Sequence, residues 1–201
     1  MRLLLETICI REGRPQGLSY HKMRMAHSVA PLSSPTLPNL ASLCPEPLRR
    51  SRCKCRIVYS AKGIEEISFT PYHPKPLRAL RIVEAPTDLN YEHKWLDRYA
   101  LESLRQGCAA DEDILICRDG LLTDISYANV LLSRLNTPKQ FLYTPAKPLL
   151  YGTHLAQLAS SLHFEPIPLD HLWRDYHSLS LINAMLDVGE IQIPVEHIYF
   201  P

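Results

Sequence analysis

Short apolar runs, most of them between four and nine residues, set the rhythm of this chain. Residues 2–10 (RLLLETICI) predict a strand, a turn at 13–17 (GRPQG) follows, and a helix runs from about Tyr20 to Val29. From Ala30 to Arg52 the sequence is rich in Pro, Ser and Leu, which predicts an irregular connector. Residues 53–59 and 63–70 predict two strands joined by the turn Ala61-Lys62-Gly63, and residues 77–84 a further half-buried strand. Beyond residue 93 the periodicity favours helices between short strands. Lys94 opens a helix-like segment in which Leu96, Tyr99, Ala100 and Leu104 share one face, and Leu155, Leu158, Ala159 and Leu162 repeat the pattern. Apolar runs at 113–117, 128–133, 140–143 and 178–182 predict buried strands. The pattern changes near residue 88, which divides the chain into a small lobe (1–88) and a larger one (89–201).

Composition narrows the classes of function. The chain has 201 residues, 46% of them hydrophobic, and a formal net charge of +1. That is enough apolar matter for a core. The weak overall field argues against nucleic acid or an anionic membrane as main partner. No stretch reaches the roughly 20 apolar residues that span a bilayer. Glu6 and Arg11 interrupt the opening apolar run, so it reads as a first strand rather than an export signal, and a cytoplasmic location is expected. The same context favours reduced thiols for the six cysteines. Cys53 and Cys55 would share one face of a strand, a reading preferred to a metal site because no second pair completes one.

Four separated pieces could carry chemistry. Arg24, in His21-Lys22-Met23-Arg24, offers a planar, permanently charged fork to a phosphate, or is a solvated helix arginine. Lys94 has partly apolar neighbours, which would favour a neutral amine; alone, it could equally be a surface lysine. Asp124 follows thirty positions later and could be a simple turn residue. An amine and a distant carboxylate are what a protein needs to hold pyridoxal phosphate: the amine forms a Schiff base, and the carboxylate keeps the pyridine nitrogen protonated. Gly152-Thr153 sits where a helix begins, either an anion seat or an ordinary helix start.

Taken together, these pieces resemble the class IV aminotransferases, the fold type IV pyridoxal phosphate enzymes. LLETICIREGRPQGLSYHKMRMAHS is similar to the family's E-T-I strand and H-x-x-R helix, and KWLDR to its lysine segment. DGLLTDISYANVLL resembles its acidic strand followed by S-x-x-N, PLLYGTH its phosphate loop, and LINAM a late strand. The motifs run in family order from Leu4 to about Val195, and the likeness is greatest to short aminodeoxychorismate-lyase-like members. The resemblance implies an α+β, two-lobed fold like that of D-amino-acid aminotransferase. Its small N-terminal α/β lobe would be followed by a larger lobe with a mixed, barrel-like sheet. It implies an enzyme in which Lys94 carries the cofactor and shuttles protons, Asp124 pairs with the pyridine nitrogen, and Arg24 binds phosphate. Thr153 and His154, after Gly152, would offer amides to phosphate. Asn183 and Ala184 would lie at the phosphate side, and Tyr127 and Asn129 beneath the ring. It further implies a homodimer and a small amino substrate, with transamination and lyase chemistry sharing these residues.

The chain departs from the family pattern in three side chains. Asp124 stands where glutamate is usual, His154 where threonine is common, and Leu155 where an arginine follows the loop. The altered phosphate loop motivates an alternative, a non-catalytic cofactor-binding or dimer-forming relative. For a substrate carboxylate, Arg56, Tyr59, Tyr72 and Arg98 are candidates, each with an equally ordinary structural role.

Overall fold

The structure, a computed structural model, describes residues 2–138 and 140–201. The chain forms two compact units. The first comprises the chain up to Pro74 together with His93–Asp97; the second comprises Lys75–Glu92 and Arg98–Pro201. The division thus falls earlier than residue 88, and a five-residue piece around Lys94 returns to the first unit.

The first unit is built on an antiparallel sheet in the order β2-β1-β3-β4, from β1 (Leu4–Arg11), β2 (Arg14–Pro15), β3 (Cys53–Ser60) and β4 (Gly63–Pro71). Helix α1 (Leu18–Val29) begins directly after the GRPQG turn, where Gly17 takes the left-handed conformation at the cap. The expected irregular connector also contains a short helix, α2 (Leu40–Leu43), capped by the Asn39 side chain. Ile8 and Ile10 on β1 pack with Cys53, Cys55 and Ile57 on β3 and with Leu40 and Cys44 beneath them. Cys53 and Cys55 therefore share the core face of their strand, and burial raises their thiols to about 11 and about 12.

The second unit carries β5 (Ala79–Glu84), α3 (Tyr99–Leu104), β6 (Glu112–Arg118), β7 (Leu121–Ile125), β8 (Asn129–Arg134) and β9 (Leu142–Pro145). After these come α4 (Thr153–Leu158), β10 (Leu162–Glu165), α5 (Leu172–Asp175), β11 (Tyr176–Ile182), β12 (Gln192–Pro194) and β13 (Ile198–Tyr199). Strands β5 to β13 form one mixed sheet, parallel at β5–β6, β5–β13 and β9–β10 and antiparallel elsewhere. The sheet branches at β8, which pairs with β7, β9 and β11. Ile114 to Cys117 on β6 and Val130 to Leu132 on β8 are shut off from solvent on both faces, which is why these segments read as unbroken apolar runs.

Two helical expectations are corrected. Lys94 does not open a helix; α3 starts only at Tyr99. Residues 94–96 instead bond their backbone to β1, with Trp95 bridged to Leu4, and this uses groups a helix would need for itself. The periodicity through Leu162 is likewise cut short. Helix α4 ends at Leu158, the chain tightens through Ala159–Ser161, and Leu162 starts a strand beside β9. Ser161 turns its hydroxyl onto the Leu158 carbonyl at 2.8 Å, the local competition that makes serine a poor helix interior residue.

Candidate active site

In the second unit the site grows from the β7–β8 hairpin. Asp124 pairs with Asn129 across it, and the Ile125 N–H donates to the Ala128 carbonyl, leaving Ser126 and Tyr127 at the tip. β7 is buried on both faces from Leu122 to Ile125, and the Asp124 side chain is 4% exposed there. One Asp124 oxygen accepts from Asn129 Nδ2 at 2.7 Å and the other from the Leu150 N–H at 3.1 Å. Asn129 Nδ2 also donates to the Leu150 carbonyl at 2.9 Å, so two bonds tie the hairpin to the loop before α4 and a third locks Asp124 to Asn129 within it. Burial pushes the Asp124 carboxyl up to about 7, and the hydrogen bonds from Leu150, Asn129 and Leu149 restrain that rise only in part. No cationic side chain is among the groups that shift it.

Gly152 completes this corner. Its backbone is extended, so the conformation would suit any residue. What requires glycine is proximity: a Cβ there would lie 2.1 Å from Asn129 Oδ1. Thr153 follows, buried, at the start of α4. His154 Nδ1 lies 3.0 Å from the Asn183 carbonyl and 2.9 Å from the Leu186 carbonyl. Two facing acceptors require the proton on Nδ1, so the ring clamps the 183–186 turn to α4. Asn183 closes that turn by accepting from the Met185 and Leu186 N–H groups at 2.8 and 3.0 Å. Its Nδ2 donates to the Tyr127 carbonyl at 3.3 Å, which brings the hairpin tip alongside Asn183, with Ala184 next in the turn. Leu155 packs in an apolar cluster with Leu131 and Ile182. Asp124, Tyr127, Asn129, Gly152, Thr153, His154, Asn183 and Ala184 are thus gathered in one unit.

Arg24 and Lys94 belong to the other unit, and both are mounted on β1. Arg24 donates through Nε and Nη2 to the two oxygens of Glu6, at 2.8 and 2.7 Å. His21 Nδ1 meets the same carboxylate at 2.5 Å. Burial alone would raise Glu6, but the Arg24 charge and the bonds from His21 and Arg24 outweigh it and bring the carboxyl down to about 2. Lys94 sits at the apex of a γ-turn closed by the Trp95 N–H on the His93 carbonyl at 2.9 Å. The Lys94 carbonyl accepts from the Leu5 N–H at 2.9 Å, and the Leu96 N–H donates to the Leu3 carbonyl at 3.0 Å. The rings of the two chain neighbours of Lys94 meet: His93 lies edge-on to Trp95 at 5.2 Å and 5.8 Å from His27.

Sequence reading missed Glu6 and Leu150. Glu6 could have been found as the lone carboxylate at an inward position of an apolar strand. Leu150 acts through its backbone and left no trace in residue type. Two of the carboxylate-binding candidates are engaged elsewhere. Arg56 pairs with Glu66 at 3.0 Å, and Arg98 donates to the Ser126 carbonyl at 2.9 Å and pairs with Glu102. Tyr59 is fully buried in the core of its unit.

No family model matches the chain. An uncharacterized protein of Haemophilus influenzae is 32% identical over 160 residues, spanning 77% of this chain and 82% of the relative. This chain belongs to the same family as that protein. Among solved structures, a "putative 4-amino-4-deoxychorismate lyase" of Haemophilus somnus is 29% identical, with a TM-score of 0.77 over 92% of this chain and 97% of its own. A fold IV transaminase of Curtobacterium pusillum superposes with a TM-score of 0.73 at 17% identity over all of this chain and 81% of its own. A hypothetical aminotransferase of Mycobacterium tuberculosis, solved with PLP bound, gives 0.72 at 18% identity over 98% and 81%. The fold is that of the fold type IV pyridoxal phosphate enzymes.

Proposed function

We propose that this protein is a pyridoxal-phosphate-dependent enzyme of the class IV aminotransferase group, acting on a small amino acid or amino-substituted carboxylate. The observation that carries the reading is Asp124, a buried carboxyl with both oxygens oriented by donors and no cationic side chain shifting it, within this fold. A protonated ring nitrogen is the kind of partner that such a carboxyl lacks. Lys94 is the residue that would hold the cofactor covalently, and Arg24, Thr153, His154 and Asn183 those on the phosphate side.

When bound, pyridoxal phosphate supplies an aldehyde that captures a primary amine and a ring that draws electrons from the neighbouring carbon. Everything else falls to the chain. The γ-turn and its strand bonds fix the Lys94 backbone, so its amine samples a restricted volume from which it takes and returns a proton. Asp124 holds charge on the ring side, and the Asn129–Leu150 bonds keep its carboxyl from rotating away. Gly152 lets the loop approach closely enough for those bonds to form.

The test is an absorption spectrum of the purified protein with added pyridoxal phosphate, followed by assays of keto-acid formation and of pyruvate release from aminodeoxychorismate. A cofactor band with either activity supports the reading; no band refutes it. A second reading, a non-catalytic relative, is favoured by two side chains. His154 gives its Nδ1 proton to backbone carbonyls, and Leu155 is core where the family has arginine. A band that no amino compound perturbs would select it.

A further inference from the structure

We infer that Glu6 is a positioning residue that holds Arg24 by one edge of its guanidinium and thereby fixes the edge that meets a phosphate. The inference rests on the reading of Arg24 as a phosphate anchor. Glu6 is fully buried, at an inward position of β1 among Leu4, Ile8 and Ile10. An aliphatic residue would pack there without the desolvation cost of a carboxylate. The carboxylate takes two bonds from Arg24 and one contact from His21, and the Arg24 side chain is itself only 11% exposed. The arginine is therefore oriented rather than swinging on a flexible stem.

A guanidinium donates along two edges. With Nε and one Nη2 hydrogen directed at Glu6, an anion is met through the Nη1–Nη2 edge. The same strand holds the lysine. Leu5, next to Glu6, gives its N–H to the Lys94 carbonyl. Adjacent residues of β1 thus set both Arg24 and Lys94, and the distance between these two anchors is a property of one rigid strand. Releasing Arg24 from Glu6 should cost phosphate recognition while leaving the capture of an aldehyde by Lys94 intact.

The experiment compares pyridoxal phosphate with pyridoxal, which keeps the aldehyde and ring but lacks the phosphate. Both are titrated into wild-type protein, Glu6→Gln and Glu6→Asp, with binding read from cofactor absorbance and folding from thermal melts. The expected result is a wild-type preference for the phosphorylated form that falls about tenfold or more in Glu6→Gln, while pyridoxal affinity stays within about twofold. Equal weakening of both ligands, or no change in the preference, overturns the inference and leaves the functional reading standing. If Glu6→Gln does not fold, Glu6→Asp decides, because aspartate keeps the charge but draws the carboxylate back from Arg24. A preference unchanged in that variant overturns the inference, and a preference that falls while pyridoxal affinity holds supports it. Wild-type protein that binds neither ligand removes the functional reading, and this inference with it.

Discussion

A carboxyl buried with no cation among the groups that shift it, as Asp124 is, titrates where few carboxyls do. Its value in the folded chain is raised to about 7, so it binds a proton that the unfolded chain has already released. The stability it contributes is full below the ordinary aspartate range and is lost as pH rises through about 7. Cofactor-free wild-type protein should therefore lose thermal stability between about pH 4 and 8 relative to Asp124→Asn, whose curve lacks that slope. Melting temperatures across this range check it. Glu6 has the opposite sign. Its carboxyl is lowered from 4.5 to about 2, so its contribution is present above the ordinary range and lost as pH falls toward 2. Glu6→Gln should be destabilised by ~3–5 kcal/mol at neutral pH, as expected for breaking a buried pair, and by less at pH 2–3, measured by urea unfolding at each pH. Residue identity alone suggested chemistry for Asp124, Lys94 and Arg24. It could not tell a buried Asp124 from a turn aspartate, because the difference lies in the Asn129 and Leu150 donors that only folding brings to it.

At the scale of elements, the loop before α4 and the β7–β8 hairpin stand or fall together. Gly152→Ala would put a methyl group 2.1 Å from Asn129 Oδ1, and Asn129 would have to leave both Asp124 and Leu150. We expect a loss of ~2–4 kcal/mol, from crowding plus buried groups left unpaired, and a matching fall in cofactor affinity. Calorimetric melts and absorbance titration check the two parts separately. Strands β3, β4, β6, β8 and β11 were legible because apolar runs and turn residues bounded them. The short strands β12 and β13 were not, since two or three residues carry no period. The Lys94 segment was misread for a related reason. Leu96, Tyr99, Ala100 and Leu104 do recur at helical spacing, but only the part from Tyr99 onward is helical. The rest takes its backbone partners from β1, a tertiary choice that overrides local preference.

The chain carries its two groups of candidate site residues in separate units: Arg24 and Lys94 in the unit built on β1, Asp124 and its neighbours in the unit built on the larger sheet. What joins the two groups in the sequence is the family order of their motifs. The mixed sheet and two-sheet architecture follow the likeness to fold type IV enzymes, whereas the division after Pro74 and the return of His93–Asp97 to the first unit had no signal in composition. We also propose the homodimer that the family resemblance implies; light scattering should give twice the chain mass, and a monomer would count against it. Cofactor binding to the folded state alone should also raise the melting temperature with ligand concentration. The most direct measurement is borohydride reduction of the protein incubated with pyridoxal phosphate, followed by peptide mass spectrometry. The account predicts a phosphopyridoxyl group on Lys94 and none after Lys94→Ala. A modification confined to other lysines, or none at all, would contradict it.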